Sequence, residues 1–208
     1  MYLLVSCGNP NICGDMVKKY QIIYADPPWR QSKGGLRKCR PNQSKKLDYP
    51  TMKLRDIRNI INSCPKENNH TLFIWTIDKF LKDTEELFSD YKLHARIIWD
   101  KENGVAPAFT VRYSHEYLLW FYKPPMMKIQ ESFRGRFTTV LREPSTKHSK
   151  KPKIARGMIE CLYPLERRIE LFAREKTLGW DVWGNEVESD IILALRKEPK
   201  CHLKVRKR

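Results

Sequence analysis

Asp26, Pro27, Pro28 and Trp29 stand in a row directly behind the apolar run Gln21–Ala25. A carboxylate, two prolines and an indole in that order suit one kind of chemistry. Consecutive prolines fix φ and remove two backbone donors, so the turn they impose leaves carbonyls unpaired and available as acceptors. An exocyclic amine on a nucleobase needs such acceptors, because its lone pair is delocalised into the ring and attacks poorly. Two acceptors on its two N–H groups, the Asp26 carboxylate and the Pro27 carbonyl, would favour a tetrahedral nitrogen with its lone pair free. Trp29 offers a face on which an extruded base can stack, an interaction worth roughly 1–3 kcal/mol in single-stranded complexes. A duplex substrate would first have to flip the base out. The plain alternative is a Pro-Pro turn after a strand, followed by an incidental tryptophan.

Such a turn needs rigid elements around it. Runs rich in β-branched and aromatic residues read as strands at Tyr20–Ala25, Thr71–Thr76, His94–Trp99, Tyr117–Tyr122, Thr138–Leu141 and Arg168–Ala173. Several are apolar throughout, as in a sheet covered on both faces. Helical spacing appears between them, at Lys53–Asn62, Asp78–Tyr91 and Lys153–Leu162, the last with Pro152 placed to start it. Strands alternating with helices predict an α/β protein with a mainly parallel sheet. In such sheets ligands collect at the carboxyl ends of strands, where Asp26 would sit. No repeat or linker divides the chain, so we expect one domain over 1–208, with a core of about 20–187.

The charge is far from neutral: 40 Lys+Arg against 24 Asp+Glu give a formal net charge of +16. An excess of that size favours a polyanionic partner, because Lys and Arg displace counterions condensed on phosphates. Much of it falls in three stretches that read as loops, at 30–46, 142–156 and the tail 196–208. The first begins immediately behind Trp29. Its Arg30, Lys33, Arg37, Lys38, Arg40, Lys45 and Lys46 are the candidate phosphate contacts. No apolar run approaches the roughly 18–20 residues of a membrane span, and the N-terminal apolar run is too short for a signal-peptide core. These features predict a cytoplasmic protein, nucleoid-associated or in a host-cell cytoplasm, with no membrane partner. Six cysteines show no CxxC pair and the five histidines are scattered, so free thiols and no metal are expected.

The motif also carries a resemblance. Asp26-Pro27-Pro28-Trp29 behind a strand resembles the signature of the adenine-6-amino methyltransferases related to the eukaryotic messenger-RNA adenosine methyltransferase, the MT-A70 type. The likeness runs from about Tyr20 to Val187. Tyr49–Met52, Leu72–Thr76, Ile97–Lys101 and His115–Leu119 follow in family order. A second strong block comprises His148, Lys151-Pro152, Gly157–Glu160, Arg168–Arg174 and Trp183–Glu186. The resemblance implies a Rossmann-like S-adenosylmethionine-dependent methyltransferase fold with permuted motif order, the catalytic motif preceding the main cofactor strand.

It also implies roles. Asp26 and Pro27 would hold the target amine, Pro28 and Trp29 would pack against adenine and cofactor, and Asp26 would approach the methionine part. Lys151 would pair with the cofactor carboxylate, Phe172 and Arg174 would line the adenosyl pocket, and Asn185 and Glu186 would bind the ribose hydroxyls. Two features depart from the common pattern. Ala173–Lys176 stands where many methyl-donor folds carry a glycine-rich turn, and Glu186 stands where eukaryotic relatives often carry an amide. His115 and Glu116 are further candidates for substrate contact, or for a buried pair.

The function expected is methylation of the 6-amino group of adenine in DNA. The same chemistry on RNA is an alternative, and so is a non-catalytic partner subunit that binds nucleic acid for an active homologue. An intact Asp26–Trp29 motif argues against the latter. A cytosine amine fits the chemistry alone less well than adenine. No segment reads as a separate recognition domain, so a homodimer or a heterodimer would complete the substrate groove.

Overall fold

The computed structural model describes residues 18–30, 51–105, 110–146 and 150–194. Seven strands form one sheet: β1 (Tyr20–Ala25), β2 (Lys66–Thr76), β3 (Lys92–Asp100), β4 (His115–Tyr122), β5 (Val140–Arg142), β6 (Arg168–Leu171) and β7 (Asp181–Trp183). Their spatial order is β5-β3-β4-β2-β1-β6-β7. The pairs β1–β2, β1–β6, β3–β5 and β6–β7 are parallel, whereas β4 runs antiparallel to both β2 and β3. The sheet is therefore mainly parallel, as expected, with a single reversed strand inside it.

Side-chain alternation sorts the interior onto two faces. Ile23 and Ala25 of β1, Leu72 and Ile74 of β2, and Leu119 and Phe121 of β4 face helix α1 (Leu54–Ser63), through Ile57 and Ile61. Ile22 and Tyr24, Phe73 and Trp75, and Leu118 and Trp120 face helix α3 (Lys153–Leu162), through Ala155, Met158, Ile159 and Leu162. Both faces are dry, which is why these strands read as continuous apolar runs rather than alternating ones.

Several details differ from the sequence expectation, among them β2, which begins at Lys66 instead of Thr71, and β5, which is shifted to Val140–Arg142. The helix expected over 78–91 is divided into a 3-10 turn (Asp78–Phe80) and helix α2 (Leu81–Leu87). Its turn is fixed by Thr84, whose hydroxyl donates to the Phe80 carbonyl at 2.6 Å and pairs with the Thr76 hydroxyl at 2.9 Å. The strand expected to reach Ala173 stops at Leu171, because Phe172 turns into left-handed backbone at φ 64°. Strand β7 has only three residues, too few to show a period. No helix among the described residues is long and apolar enough to cross a membrane.

Candidate active site

Strand β1 lies where the connections diverge: its neighbour on one side is β2 and on the other β6. That switch opens a crevice at the carboxyl ends of the strands, and Asp26 is the first residue beyond β1. Its backbone N–H bonds the Leu171 carbonyl of β6 at 3.4 Å. The turn that follows is stitched on both sides. Trp29 N–H donates to the Pro27 carbonyl at 2.9 Å, and Met52 N–H donates to the Pro28 carbonyl at 2.9 Å. The carbonyls expected to stand unpaired are thus each engaged once. A carbonyl has two lone pairs, so the Pro27 oxygen keeps capacity for one further donor.

Trp29 departs from the open stacking face expected of it. The residue is only 5% exposed, its indole N–H donates to the Trp75 carbonyl at 3.0 Å, and Phe80 stacks on it at 5.6 Å between ring centroids. Its backbone forms an isolated parallel bridge with Met52. In this structure Trp29 anchors the turn and presents only a margin to the cleft.

That cleft encloses about 430 Å³ of unfilled, solvent-open space. Asp26, Pro27, Pro28, Trp29, Lys151 and Arg174, drawn from three distant parts of the sequence, line it together with Trp75, Thr76, Ile77 and Glu116. The structure therefore brings the tetrapeptide expected to be catalytic together with two of the expected cofactor residues. Phe172 lies beside the cleft, packed edge-on against Trp183 at 5.9 Å. Asn185 and Glu186 are exposed on the segment after β7, with the Glu186 carboxylate 3.6 Å from Arg174 Nε. Gly184, just before them, makes a close approach: a Cβ there would stand 2.0 Å from the Ala173 carbonyl oxygen. Arg30 is exposed immediately after the turn. Lys33, Arg37, Lys38, Arg40, Lys45 and Lys46 lie outside the described residues, as do Tyr49, His148 and the basic tail.

The charges in the cleft alternate. Lys151 Nζ is 2.9 Å from Asp26 and 3.0 Å from Glu116, and Lys101 Nζ bonds the other Glu116 oxygen at 2.6 Å. These side chains are mostly shielded, with Lys151 and Glu116 each 14% exposed and Asp26 21%. Burial pushes the Asp26 carboxyl above the usual range, and the Lys151 ammonium only partly offsets it. For Glu116 burial acts the same way, but Lys151 and Lys101 together overcome it and hold this carboxyl low. Burial would lower Lys151, yet its two carboxylates raise it, so the ammonium is the settled charge of the group. Removing Glu116 from this array leaves the Lys151 and Lys101 cations short of a partner, the kind of loss that costs about 3–5 kcal/mol where a charge stays buried.

Lys101, Trp75, Thr76 and Ile77 were not singled out from sequence, and Glu116 was read there as a substrate contact or a member of a buried pair. A signal for Glu116 and Lys101 exists: Glu116 is an acid at the start of the otherwise largely apolar strand β4, and Lys101 is a cation just beyond Ile97–Trp99. Pairing them requires knowing that β3 and β4 are antiparallel neighbours, with Asp100 opposite His115. Among the described residues no group of His, Cys, Asp and Glu could hold a metal ion, and Cys64 and Cys161 are free thiols.

A mixed seven-stranded sheet covered on both faces, with a charged cleft at the carboxyl ends of β1 and β2, is a Rossmann-like fold of the methyltransferase type. The chain belongs to the MT-A70 family, whose model matches residues 20–186. It is similar to the type II methyltransferase M.MunI of Mycoplasma sp, with 29% identity over 192 residues, 84% of this chain and 81% of that protein. It is also 25% identical to the mouse N(6)-adenine-specific methyltransferase METTL4 over 209 residues, 88% of this chain and 40% of the relative. The N6-methyladenosine RNA methyltransferase MTA1 of Pyricularia oryzae is 25% identical over 206 residues, 86% of this chain and 51% of the relative. The resemblance read from the Asp26–Trp29 and Lys151–Glu186 blocks is that of the family itself.

Proposed function

We propose that this chain methylates the 6-amino group of adenine in DNA, using S-adenosylmethionine. The observation that carries the reading is the placement of Asp26: a shielded carboxylate at the end of β1, beside the Pro27 carbonyl and 2.9 Å from the Lys151 ammonium. DNA is assigned on the strength of the relative named a type II methyltransferase, which the chain covers over 81% of its length. The relative named an RNA methyltransferase is covered over 51%.

The residues present fit the cofactor. One end of the cleft holds an ammonium between carboxylates, a set complementary to an amino-acid zwitterion. Lys151 would pair with its carboxylate, and Asp26 would accept from its ammonium. Arg174 and Phe172 would flank the adenosyl part, with Asn185 and Glu186 accepting from ribose hydroxyls. When bound, S-adenosylmethionine supplies an electrophilic methyl group on a sulfonium.

The rest belongs to the chain. Asp26 and the Pro27 carbonyl each accept one N–H of the adenine amine, which localises the lone pair on nitrogen. Burial raises the proton affinity of Asp26, which suits it to take the proton that the nitrogen sheds. The rigid Pro27-Pro28 turn, anchored by buried Trp29, holds both acceptors in fixed relation. Alignment of this kind supplies a large share of the acceleration in two-reactant chemistry.

The test is transfer of labelled methyl from S-adenosylmethionine to matched single- and double-stranded DNA and RNA, with the modified base identified. N6-methyladenine in DNA is expected. Asp26→Ala should cut transfer about 100-fold or more, the scale of losing one charge-stabilising contact in a transition state. Near-normal turnover in that variant would remove Asp26 from the reaction, and labelling of RNA alone would reassign the polymer.

A further inference from the structure

Lys151 reaches the cleft from a segment with little regular structure of its own, two residues before α3 begins. Something must fix its height against Asp26 and Glu116. Pro152 at the start of α3 offers no side-chain acceptor, so the helix lacks a cap from its own N-terminal residue. The acceptors come instead from Glu143, ten residues upstream. One carboxylate oxygen accepts the Lys153 N–H at 2.9 Å and the other accepts the Ile154 N–H at 2.9 Å.

Glu143 is itself held against the other side of the site. Its carbonyl accepts the Trp99 indole N–H at 2.7 Å, and its N–H bonds the Asp100 carbonyl at 3.3 Å. Two residues on, Ser145 N–H bonds the Lys101 carbonyl at 3.2 Å. One short segment therefore joins the end of β3, which carries Lys101, to the start of α3, which follows Lys151. Those two lysines are the cations on either side of Glu116. Within the basic stretch 142–156 Glu143 is the lone acid, and this bidentate clasp gives it a role that a solvated surface charge would not have.

We infer that Glu143 is a positioning residue that sets Lys151 for the amino-acid end of the cofactor. This rests on the cofactor reading above. The clasp contributes no contact to the ligand and acts only through the start of α3. Its loss should therefore weaken ligands that use the Lys151 ammonium and spare ligands that do not.

The experiment measures binding by calorimetry on the full chain with two probes. S-adenosylhomocysteine carries the amino-acid end, and 5′-methylthioadenosine lacks it. Lys151→Met is the reference and should abolish the preference for the first probe. Glu143→Ala should weaken S-adenosylhomocysteine about tenfold while leaving 5′-methylthioadenosine unchanged. Glu143→Gln keeps one acceptor and turns the other into a donor facing a backbone N–H, so a smaller loss with the same selectivity is expected, and it serves where the alanine variant folds poorly. Unchanged affinity for both probes in both variants would overturn the inference, as would an equal loss for both. Failure of the unsubstituted protein to bind S-adenosylhomocysteine would instead remove the cofactor reading, and the inference with it.

Discussion

A carboxyl that burial makes harder to ionise does not serve stability at neutral pH. Asp26 has that character: its folded-state proton affinity is raised, with burial the larger influence and Lys151 opposing it. A raised carboxyl means that the folded protein binds the proton more tightly than the unfolded chain does. Stability from this group is then greatest at low pH and is lost as pH rises through the folded value. Glu116 has the opposite sign, contributing stability at neutral pH that is lost as pH falls through its depressed value. At neutral pH Asp26→Asn should therefore melt no lower than the unsubstituted protein while losing methyl transfer, and Glu116→Gln should melt lower. Thermal unfolding at pH 7 checks both; a marked drop in Tm for Asp26→Asn would show that its pairing with Lys151 outweighs burial.

Among the elements, the contact between β6 and β7 is the least forgiving. Gly184 follows β7 and passes so close to Ala173 that an added Cβ would meet the carbonyl oxygen at 2.0 Å and the backbone nitrogen at 2.9 Å. Backbone cannot step aside as a flexible side chain can. Gly184→Ala should cost about 1–3 kcal/mol, as overpacking does, and should displace Asn185 and Glu186, weakening cofactor binding. A shift in the urea midpoint at constant slope measures the first effect. An unshifted midpoint would mean that the segment relaxes freely.

This region also marks where the sequence stopped being legible. Strands β1, β2 and β4 could be read because burial on both faces imprints long apolar runs. The three residues of β7 carry no period, and Asp181 begins them with a charge. The Asp26–Trp29 motif was legible as chemistry, but the burial of Trp29 was not, since Phe80 and Met52 reach it only through the fold. Glu116 was weighed as a contact or a buried partner, and its pairing with Lys101 became visible only with the antiparallel register.

Over the whole molecule the dominant quantity is the formal net charge of +16. A polyelectrolyte partner converts such charge into salt-dependent affinity, with log K falling by roughly 0.9 per neutralised phosphate on duplex DNA for each unit of log salt. Replacing Lys33, Arg37, Lys38 and Arg40 by glutamine should weaken binding across all sequences and flatten that slope. The check is a titration against duplex DNA at several salt concentrations. An unchanged slope would place these residues away from phosphate.

Strand β4 has a consequence for how such a molecule could be altered. Because it runs opposite to its neighbours, its beginning lies at the level of their ends, so Glu116 enters the cleft from the first turn of the chain into a strand. Strands β3 and β4 are antiparallel neighbours, so the segment joining them makes a hairpin connection, whereas a parallel connection would have to travel the length of the sheet. Hairpin connections accept added length at small entropic cost, each doubling costing about 0.6 kcal/mol. Added segments between Asp100 and His115 would therefore leave from the end of β3 and the start of β4, where Lys101 and Glu116 meet, without altering the pairing of the strands that hold Asp26.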